Sequence, residues 1–340
     1  MIEAPDPSLC VWPRRECEKT GAWPVLSHEP MIIDAMNTLP DAMALLTELG
    51  VIRVEGADAA TFLHGQLTQD FALLGLSEAR LAAFCSAKGR MQASFIGFKR
   101  THDEILLVCN RDLLPAVLKR MSMFVLRAKA RLSDASADWR ICGLAGSAAL
   151  PFISAQAQPW ARQDHGAATV ITLYPAHGVV RVLWIAPAAE PLPVADSMTA
   201  ERWALGDIEA GIAMVSAPVV EAFVPQMLNY ESVGGVNFKK GCYPGQEVVA
   251  RSQFRGVLKR RAMLAHCEQP MVTGQEIFQM ADAEEPCATV VQAAPHPAGG
   301  WEAIVSGQVA ALESGDLRLG SADGAALMVR PMPYPLLADI

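Results

Sequence analysis

The sequence lacks the marks of a membrane, secreted or metal-clustered protein. No apolar run approaches the roughly 18–20 residues that a membrane-spanning helix needs. The N-terminus has no basic start followed by an apolar segment, so we expect no secretory signal. The eight cysteines form no CxxC and no CxxxH pair, which favours reduced thiols over a disulfide framework or a metal site. We therefore expect a cytoplasmic protein with no membrane partner and no bound metal.

Positive charge is scarce as well. The 28 Lys and Arg residues are outnumbered by 36 Asp and Glu residues, which gives a formal net charge of −8. A non-specific polyanion binder usually carries a surplus of cations, so we expect no direct nucleic-acid binding. The chain is instead 51% hydrophobic and only 19% charged, which is typical of a well-packed globular protein. Its 340 residues predict two or three domains.

The pattern along the chain predicts an α+β fold. Residues 1–35 show neither helical nor strand periodicity and are predicted to be a poorly ordered extension, followed by a helix-like run at 36–50. Strands and helices then occur without strict βαβ alternation, which favours α+β architecture. Residues 125–134 alternate apolar and basic side chains and predict a strand with one basic face. The short strands and turn residues beyond residue 256 predict a small β-barrel.

One stretch, "FKKGCYPGQEVVARSQFRG" at 238–256, combines a lone cysteine with lysines and glycines in what otherwise resembles a strand edge. Gly241 and Gly245 permit positive φ angles or a close ligand, and the ammonium of Lys240 favours the thiolate form of Cys242. The alternative is a tight turn with a small packed cysteine. A cysteine nucleophile would need an oriented base, and no histidine is obviously assigned to that role.

Two further groups of residues are candidates for ligand binding. In "RWALGDIEAG", Glu209 follows Trp203 by six positions, and a carboxylate beside an aromatic ring suits a flat heterocycle with N–H donors. The alternative is a solvent-facing glutamate on an amphipathic helix. The basic face with Arg127, Lys129 and Arg131 is either solvated or lines a cleft that receives carboxylates or phosphates.

The segment "GGVNFKKGCYPGQEVVARSQFRGVLKRRA" resembles the signature of the YgfZ family. These proteins are folate-binding relatives of the glycine-cleavage aminomethyltransferase and support iron–sulfur proteins and tRNA modification. The family pattern K-G-C-[YF]-x-G-Q-E is matched by Lys240 to Glu247. The segments "GADAATFLHGQLTQD", "CSAKGR", "WALGDIEAGIA" and "FVPQMLNYESVGG" fit in the same order, so the resemblance runs from about residue 38 to 337.

The resemblance implies an aminomethyltransferase-like ring of three domains in the α+β class. Two interlocked ferredoxin-like units are expected within residues 36–256. The first would comprise about 36–135 with 214–256, and the second about 136–213. A C-terminal β-barrel would span 257–340. The expected cofactor is tetrahydrofolate or a one-carbon derivative, bound in the central opening of a monomer.

The resemblance also implies roles for individual residues. Cys242 is expected to be a functional thiol at the rim of the opening, with Lys240 as its activator. Glu209 and Trp203 are expected to hold the pterin end of the folate. The remaining expected cofactor-binding residues are Arg127 and Lys129, which would attract the glutamate tail, together with Tyr243 and Arg251.

The departures from the relatives decide between functions. Aminomethyltransferases place an acidic pair where this chain has Ala93 and Ser94, neither of which acts as an acid or base. They usually hold aspartate at the position of Cys242, and a family tryptophan appears here as Leu49. The expected function is therefore a tetrahydrofolate-binding accessory protein for assembly or repair of iron–sulfur enzymes, including tRNA-modifying ones. The alternatives are a folate-dependent aminomethyl- or methyltransferase and a structural scaffold for partner proteins.

Overall fold

Three β-sheets carry most of the chain, and the helices are short. A computed structural model describes residues 39–154, 156–254, 258–280, 282 and 284–337. The predicted extension at 1–35 lies outside these residues. None of the helices within the described ranges is long and apolar enough to cross a membrane.

The regular elements are numbered in chain order. The strands are β1 Ala42–Leu45, β2 Leu49–Glu55, β3 Ala79–Cys85, β4 Met91–Thr101, β5 Glu104–Asn110, β6 Arg131–Asp134, β7 Trp139–Ala145, β8 Arg162–His165, β9 Ala168–Thr172, β10 Arg181–Pro187, β11 Asp196–Ser197, β12 Arg260–Cys267, β13 Glu276–Gln279, β14 Ala288–Pro295, β15 Trp301–Gln308, β16 Leu317–Leu319 and β17 Ala326–Arg330. The helices are α1 Ala59–His64, α2 Leu114–Ser122, α3 Ala200–Glu209, α4 Gln246–Phe254 and α5 Val309–Ser314.

The first two sheets are interlocked along the chain. One sheet has the antiparallel order β3-β4-β5-β2-β6, and the other has the order β11-β1-β7-β10-β9-β8. Strand β1 precedes the whole first sheet in sequence but pairs with β7 in the second, with Ala44 opposite Gly143. The chain therefore enters the second sheet before it builds the first.

The third sheet is the predicted C-terminal barrel. Strands β12 to β17 close in the order β12-β15-β14-β13-β16-β17. Alternate residues of these strands, such as Ala303 and Val305, fill the interior. Residues of the opposite parity, such as Ile304, join the larger core outside the barrel, against which α3 packs. This two-sided burial explains why the middle of β15 is apolar on both faces.

The predicted helix-like run at 36–50 is wrong within the described residues. Ala42–Leu45 is strand β1, whose side chains alternate between buried and exposed positions. Alanine, leucine and methionine favour helices in isolation, but pairing with β7 and β11 satisfies the backbone of this segment and overrides that preference.

The predicted strand at 125–134 is shorter than expected. Strand β6 begins only at Arg131. Before it, the N–H group of Lys129 donates to the carboxylate of Asp58 at 2.7 Å, and the Asp58 N–H donates to the Lys129 carbonyl at 3.2 Å. Asp58, which precedes α1, thus bonds the backbone groups of Lys129 that would otherwise pair with a neighbouring strand. Leu126 is 86% exposed rather than buried.

Candidate functional site

A cavity of about 200 Å³ lies between α3 and the two interlocked sheets. Its wall includes Trp203 and Asp207 of α3, Arg181 at the start of β10, and the aromatic side chains of Trp160 and Tyr174. Trp203 is the only one of the eight predicted site residues, all of them described, that lines this cavity.

The Trp203 ring packs closely against Gly143 and Arg181. A Cβ atom at Gly143 would lie only 2.4 to 2.5 Å from three atoms of the indole ring, so the glycine backbone of β7 packs flat on one face. The guanidinium of Arg181 lies over the ring, 4.2 Å from its centroid. Trp203 is 2% exposed. Trp203 therefore forms a closely packed part of the cavity wall.

Arg181 and Asp207 form a buried ion pair on this support. The Arg181 side chain is 1% exposed and donates from Nη2 to Oδ1 of Asp207, whose side chain retains 26% exposure. Burial raises the pKa of Asp207, although the charge of Arg181 opposes the increase. The arginine is thus held by the indole ring, and the carboxylate is held by the arginine.

Glu48 places a second carboxyl group on the cavity wall. Its side chain is exposed, and partial burial with repulsion from Asp207 raises its pKa. The cavity therefore presents one fixed carboxylate and one at its accessible edge.

Trp160 and Tyr174 supply the aromatic surface that remains available, since both are only partly buried. Trp160 has a positive φ of 69°, a conformation that costs a bulky residue on the order of 1–3 kcal/mol. It is fixed there because its N–H donates to Thr172, its indole N–H donates to Val233, and its carbonyl accepts from Ala79. The Tyr174 ring lies edge to face with it at 5.9 Å.

Neither aromatic residue was predicted from the sequence. Trp160 lies in "AQPWARQ", which shows neither helical nor strand periodicity. Only its position against the second sheet identifies it as part of the cavity wall. Leu49, which replaces the family tryptophan, also lines the cavity. The aromatic character of this wall therefore comes from other elements.

Glu209 lies on a different side of α3 from Trp203. It is 3% exposed, its Oε1 lies 3.6 Å from Nε2 of His177, and its Oε2 has no hydrogen-bond partner among the described residues. Burial raises its pKa to about 7, with nearby Arg202 opposing the shift. The structure thus separates the carboxylate and the aromatic ring that the sequence predicts at one end of a ligand.

Glu209 faces a polar group of side chains on the outside of the barrel. There, Glu302 accepts from Nδ1 of His266 at 2.9 Å and from Arg330. Because α3 packs on strands β14 and β15, this polar group belongs to the junction between α3 and the barrel.

Cys242 lies in a loop that also contains a buried lysine, Lys240. Cys242 is exposed, whereas the other described cysteines are buried. The neighbouring Lys240 is 8% exposed, and its ammonium donates to the carbonyls of His64 and of Leu67, the latter at 2.9 Å. Its Nζ lies 4.6 Å from the Tyr243 ring centroid, and burial lowers its pKa to about 8. Lys240 therefore anchors the loop to the end of α1.

The loop also docks on the β3–β4 hairpin through a glycine contact. Gly245 has a φ of 79°, and a Cβ atom there would lie 2.4 Å from the Ser86 carbonyl and 2.7 Å from Gly89. No other residue fits this approach. The residues after it form helix α4, so the expected resemblance of 238–256 to a strand edge is wrong.

His64 is a functional candidate that the sequence analysis did not single out. Its Nδ1 lies 3.0 Å from Oδ1 of Asp70, and its Nε2 accepts from the N–H of Gly241 at 3.3 Å. These partners place the ring proton on Nδ1. Although burial opposes it, hydrogen bonds from the Leu73 N–H and from His64 lower the pKa of Asp70. An oriented histidine thus lies against the backbone next to Cys242.

The other predicted binding residues are spread over the surface. Arg127 and Lys129 are exposed in the segment before β6, and Arg251 is exposed on α4, where it pairs with Glu247 at 3.0 Å. Tyr243 is buried beneath Lys240, and burial raises its pKa. None of these four residues lines the cavity.

Ala93 and Ser94, which replace the acidic pair, are both buried. The Ser94 hydroxyl accepts from the N–H of Val215 at 3.0 Å and from the hydroxyl of Tyr230 at 2.6 Å. These contacts give Ser94 a structural role, and no acid or base stands at either position. Nothing at this place favours aminomethyl transfer.

Comparison with known proteins identifies relatives that match most of the chain. No protein-family model matches the chain. The tRNA-modifying protein YgfZ of Cronobacter sakazakii is 31% identical over 321 residues, which cover 89% of this chain and 95% of the relative. The protein of the same name from Enterobacter sp. strain 638 is 30% identical over 235 residues, covering 66% and 72%.

Among solved structures, the glycine cleavage system aminomethyltransferase T from Bartonella henselae aligns over 87% of both chains. The TM-score is 0.66 and the sequence identity is 16%, so this likeness shows the fold alone. The predicted aminomethyltransferase-like α+β fold is confirmed.

Proposed function

The chain belongs to the YgfZ family, and from that premise we propose that it binds tetrahydrofolate or a one-carbon derivative in the cavity beneath α3. We further propose that it serves as an accessory protein in the assembly or repair of iron–sulfur enzymes, including tRNA-modifying ones. The relatives' name, tRNA-modifying protein, supports the second part.

The observation that carries the folate proposal is the composition of the cavity wall. Trp160 and Tyr174 offer aromatic surface, and Asp207 offers a fixed carboxylate. A pterin is a flat ring system with adjacent N–H donors, and these are the groups that it requires. Pockets for whole ligands usually measure about 300–1,000 Å³. The observed 200 Å³ therefore suits the ring end of a folate, with the remainder outside.

The exposed cations have a separate part in this proposal. Arg127 and Lys129 would attract the glutamate tail from a distance, as exposed charges do at low ionic strength. Longer polyglutamate tails should then bind more tightly at low salt, and the advantage should vanish in Arg127→Gln. Equal affinity for the mono- and polyglutamate forms at low salt would exclude this role.

Cys242 would supply the chemistry that the acidic pair does not. A thiolate is a soft ligand and nucleophile, suited to iron, sulfide or a persulfide. Its exposure on a loop anchored by Lys240 and oriented near His64 supports this assignment.

Two measurements test the function. Calorimetric titration of the full chain with tetrahydrofolate should show saturable binding, and a flat titration would refute the folate proposal. A deletion strain complemented with the wild type should regain iron–sulfur enzyme activity, whereas Cys242→Ala should restore little. Full restoration by Cys242→Ala would show that the thiol is not required.

A further inference from the structure

The turn between α2 and β6 displays apolar side chains to solvent. Met123, Phe124 and Leu126 are 58%, 43% and 86% exposed. Val125 between them is partly buried and packs against the larger core, so the turn is attached to the body of the protein. Single exposed apolar residues are common on any protein surface, but three within four residues form a patch that indicates a contact site.

Backbone contacts hold this turn in one shape. The N–H of Phe124 donates to the carbonyl of Met121 at 3.0 Å, and the N–H of Leu126 donates to the carbonyl of Phe124 at 3.0 Å. Further along, a Cβ atom at Gly56 would lie 2.1 Å from the carbonyl oxygen of Lys129, so the segment lies directly on the turn before α1. A preorganised backbone of this kind reduces the entropy lost when a partner binds.

Cations surround the apolar side chains. The exposed ones are Lys119, Arg120, Arg127 and Lys129. No Asp or Glu occurs at 113–133. None of the four cations has an ion-pair partner within the described ranges, whereas the exposed Arg251 pairs with Glu247 at 3.0 Å. Arg131 is set apart from this group because it lies opposite Glu55 in the ladder between β2 and β6.

The three apolar residues and the four cations together are named the α2–β6 surface. The two kinds of side chain are mixed on it. At about 100° per residue, Lys119, Arg120 and Met123 lie within about 100° of one another around the axis of α2. Arg127 directly follows Leu126. A partner that covers this surface therefore contacts cations and apolar groups at the same time.

The chemistry of the surface favours a protein partner over nucleic acid or membrane. A phosphate backbone satisfies cations but offers nothing to Met123, Phe124 and Leu126. The chain has a net charge of −8 with these four cations included, so an extended polyanion or anionic membrane would meet acidic residues beyond the surface. A short protein segment avoids that repulsion. Methionine, phenylalanine and arginine are also enriched at protein interfaces.

We propose that the α2–β6 surface docks a partner protein through a segment that combines acidic and apolar side chains. None of its residues lines the cavity beneath α3, so docking does not depend on folate. The attraction of a glutamate tail by Arg127 and Lys129 needs only their charge at a distance, whereas docking needs contact with the apolar side chains as well. A surface of this size suits a transient contact.

Site-specific photocross-linking in the complemented deletion strain tests the docking. The photoreactive amino acid p-benzoylphenylalanine replaces Leu126 in the full chain. In a control chain it replaces Val194, an apolar residue outside the surface with 105% exposure. Irradiation should join position 126, but not position 194, to a partner protein. Mass spectrometry of the cross-linked peptide should find a segment with an excess of Asp and Glu together with apolar side chains.

Charge reversal provides a second arm. Lys119→Glu combined with Arg120→Glu should lower the yield of cross-links from position 126 about 10-fold or more, because like charges then face each other. Both side chains are exposed, so the melting curve should match that of the wild type, and so should the folate titration. Should the double variant fail to fold, Arg120→Gln alone decides by the same criterion of a lower yield.

Several results would overturn the docking proposal. These are cross-links to RNA or lipid, cross-links to a basic protein segment, equal yields of the same partner from positions 126 and 194, and a yield that does not respond to the charge reversal. The absence of any cross-link from position 126 would overturn it too. A flat folate titration of the wild type would instead refute the proposed folate binding and leave the docking intact.

Discussion

The cavity beneath α3 and the loop around Cys242 hold their polar groups in different ways. In the cavity, Asp207 is paired with Arg181, which is buried and contacts the Trp203 ring, so these two charged groups are held by other side chains. In the loop, the ammonium of Lys240 is buried against backbone carbonyls, and the thiol of Cys242 is left exposed. A site whose charged groups are held by other side chains suits recognition of a ligand of fixed shape. A loop that is anchored to backbone carbonyls and leaves a thiol exposed suits reaction with a partner.

The largest expected effect on stability is that of Glu209→Gln. It shows whether Glu209 belongs to the cavity or to the junction between α3 and the barrel. Its pKa in the folded chain is about 7, against an ordinary value of 4.5. Between these values the native state binds more protons than the unfolded state, so stability should fall as the pH rises from 4.5 to 7. Glu209→Gln removes this loss and should be more stable than the wild type above pH 7, by as much as about 3 kcal/mol.

Urea unfolding between pH 4 and pH 8 measures this difference. The exposed residue Glu313 provides the control, since Glu313→Gln should leave the pH profile unchanged. If wild type and Glu209→Gln show parallel profiles, Glu209 is not held in a destabilised ionised state.

Gly143→Ala should destabilise the protein by overpacking the Trp203 ring at the cavity wall. The new Cβ would lie 2.4 Å from the Trp203 ring, which is 2% exposed and also packs against Arg181, so little room is left for it to move. Overpacking of this kind costs about 1–3 kcal/mol, and we expect about 2 kcal/mol. Gly75→Ala is the control, because its Cβ would meet no atom nearer than 3.9 Å. Equal melting temperatures for the two variants would contradict the close packing of Gly143 against Trp203.

Lys240→Met should destabilise the loop that carries Cys242. It leaves the His64 and Leu67 carbonyls without their donor but also removes a buried charge, so we expect a net loss of about 1 kcal/mol. In the wild type, the pKa of Lys240 is lowered from 10.5 to about 8, so the unfolded state binds more protons between these values. Stability should therefore rise with pH across this window, and the contribution should be absent in Lys240→Met.

The adjacent, exposed Lys239 gives a matched control for this variant. Lys239→Met should behave as the wild type in chemical unfolding at pH 7 and pH 10. A rise with pH that persists in Lys240→Met would assign the titration to another group.

Cys242→Ser should have the smallest effect on stability, within about 0.5 kcal/mol, because the side chain is exposed. Its effect on reactivity should be large by contrast. Peptide mapping after brief alkylation of the native chain should find Cys242 modified before the buried Cys85, Cys109 and Cys142, whose thiol pKa values are all raised by burial. Uniform modification of all four would show that the loop gives Cys242 no advantage.

Local patterns predicted those parts of the fold that depend on neighbouring residues. Short strands separated by turn residues located the C-terminal barrel. Local patterns failed at Ala42–Leu45 and at 125–130, where partners distant in sequence determine the backbone. Helix propensity and alternation describe a segment alone and contain no information about β7 or Asp58.

The candidate site divides in the same way. The sequence by itself determined the family, the loop that carries Cys242 and the presence of a carboxylate and an aromatic residue on α3. Only the tertiary structure decided that Asp207, not Glu209, shares the cavity with Trp203, and that Trp160 and Tyr174 provide its open aromatic wall. The physical reason is that a motif records spacing along the chain. Whether a ring face is free or a charge has a partner depends on what the other sheets bring against it.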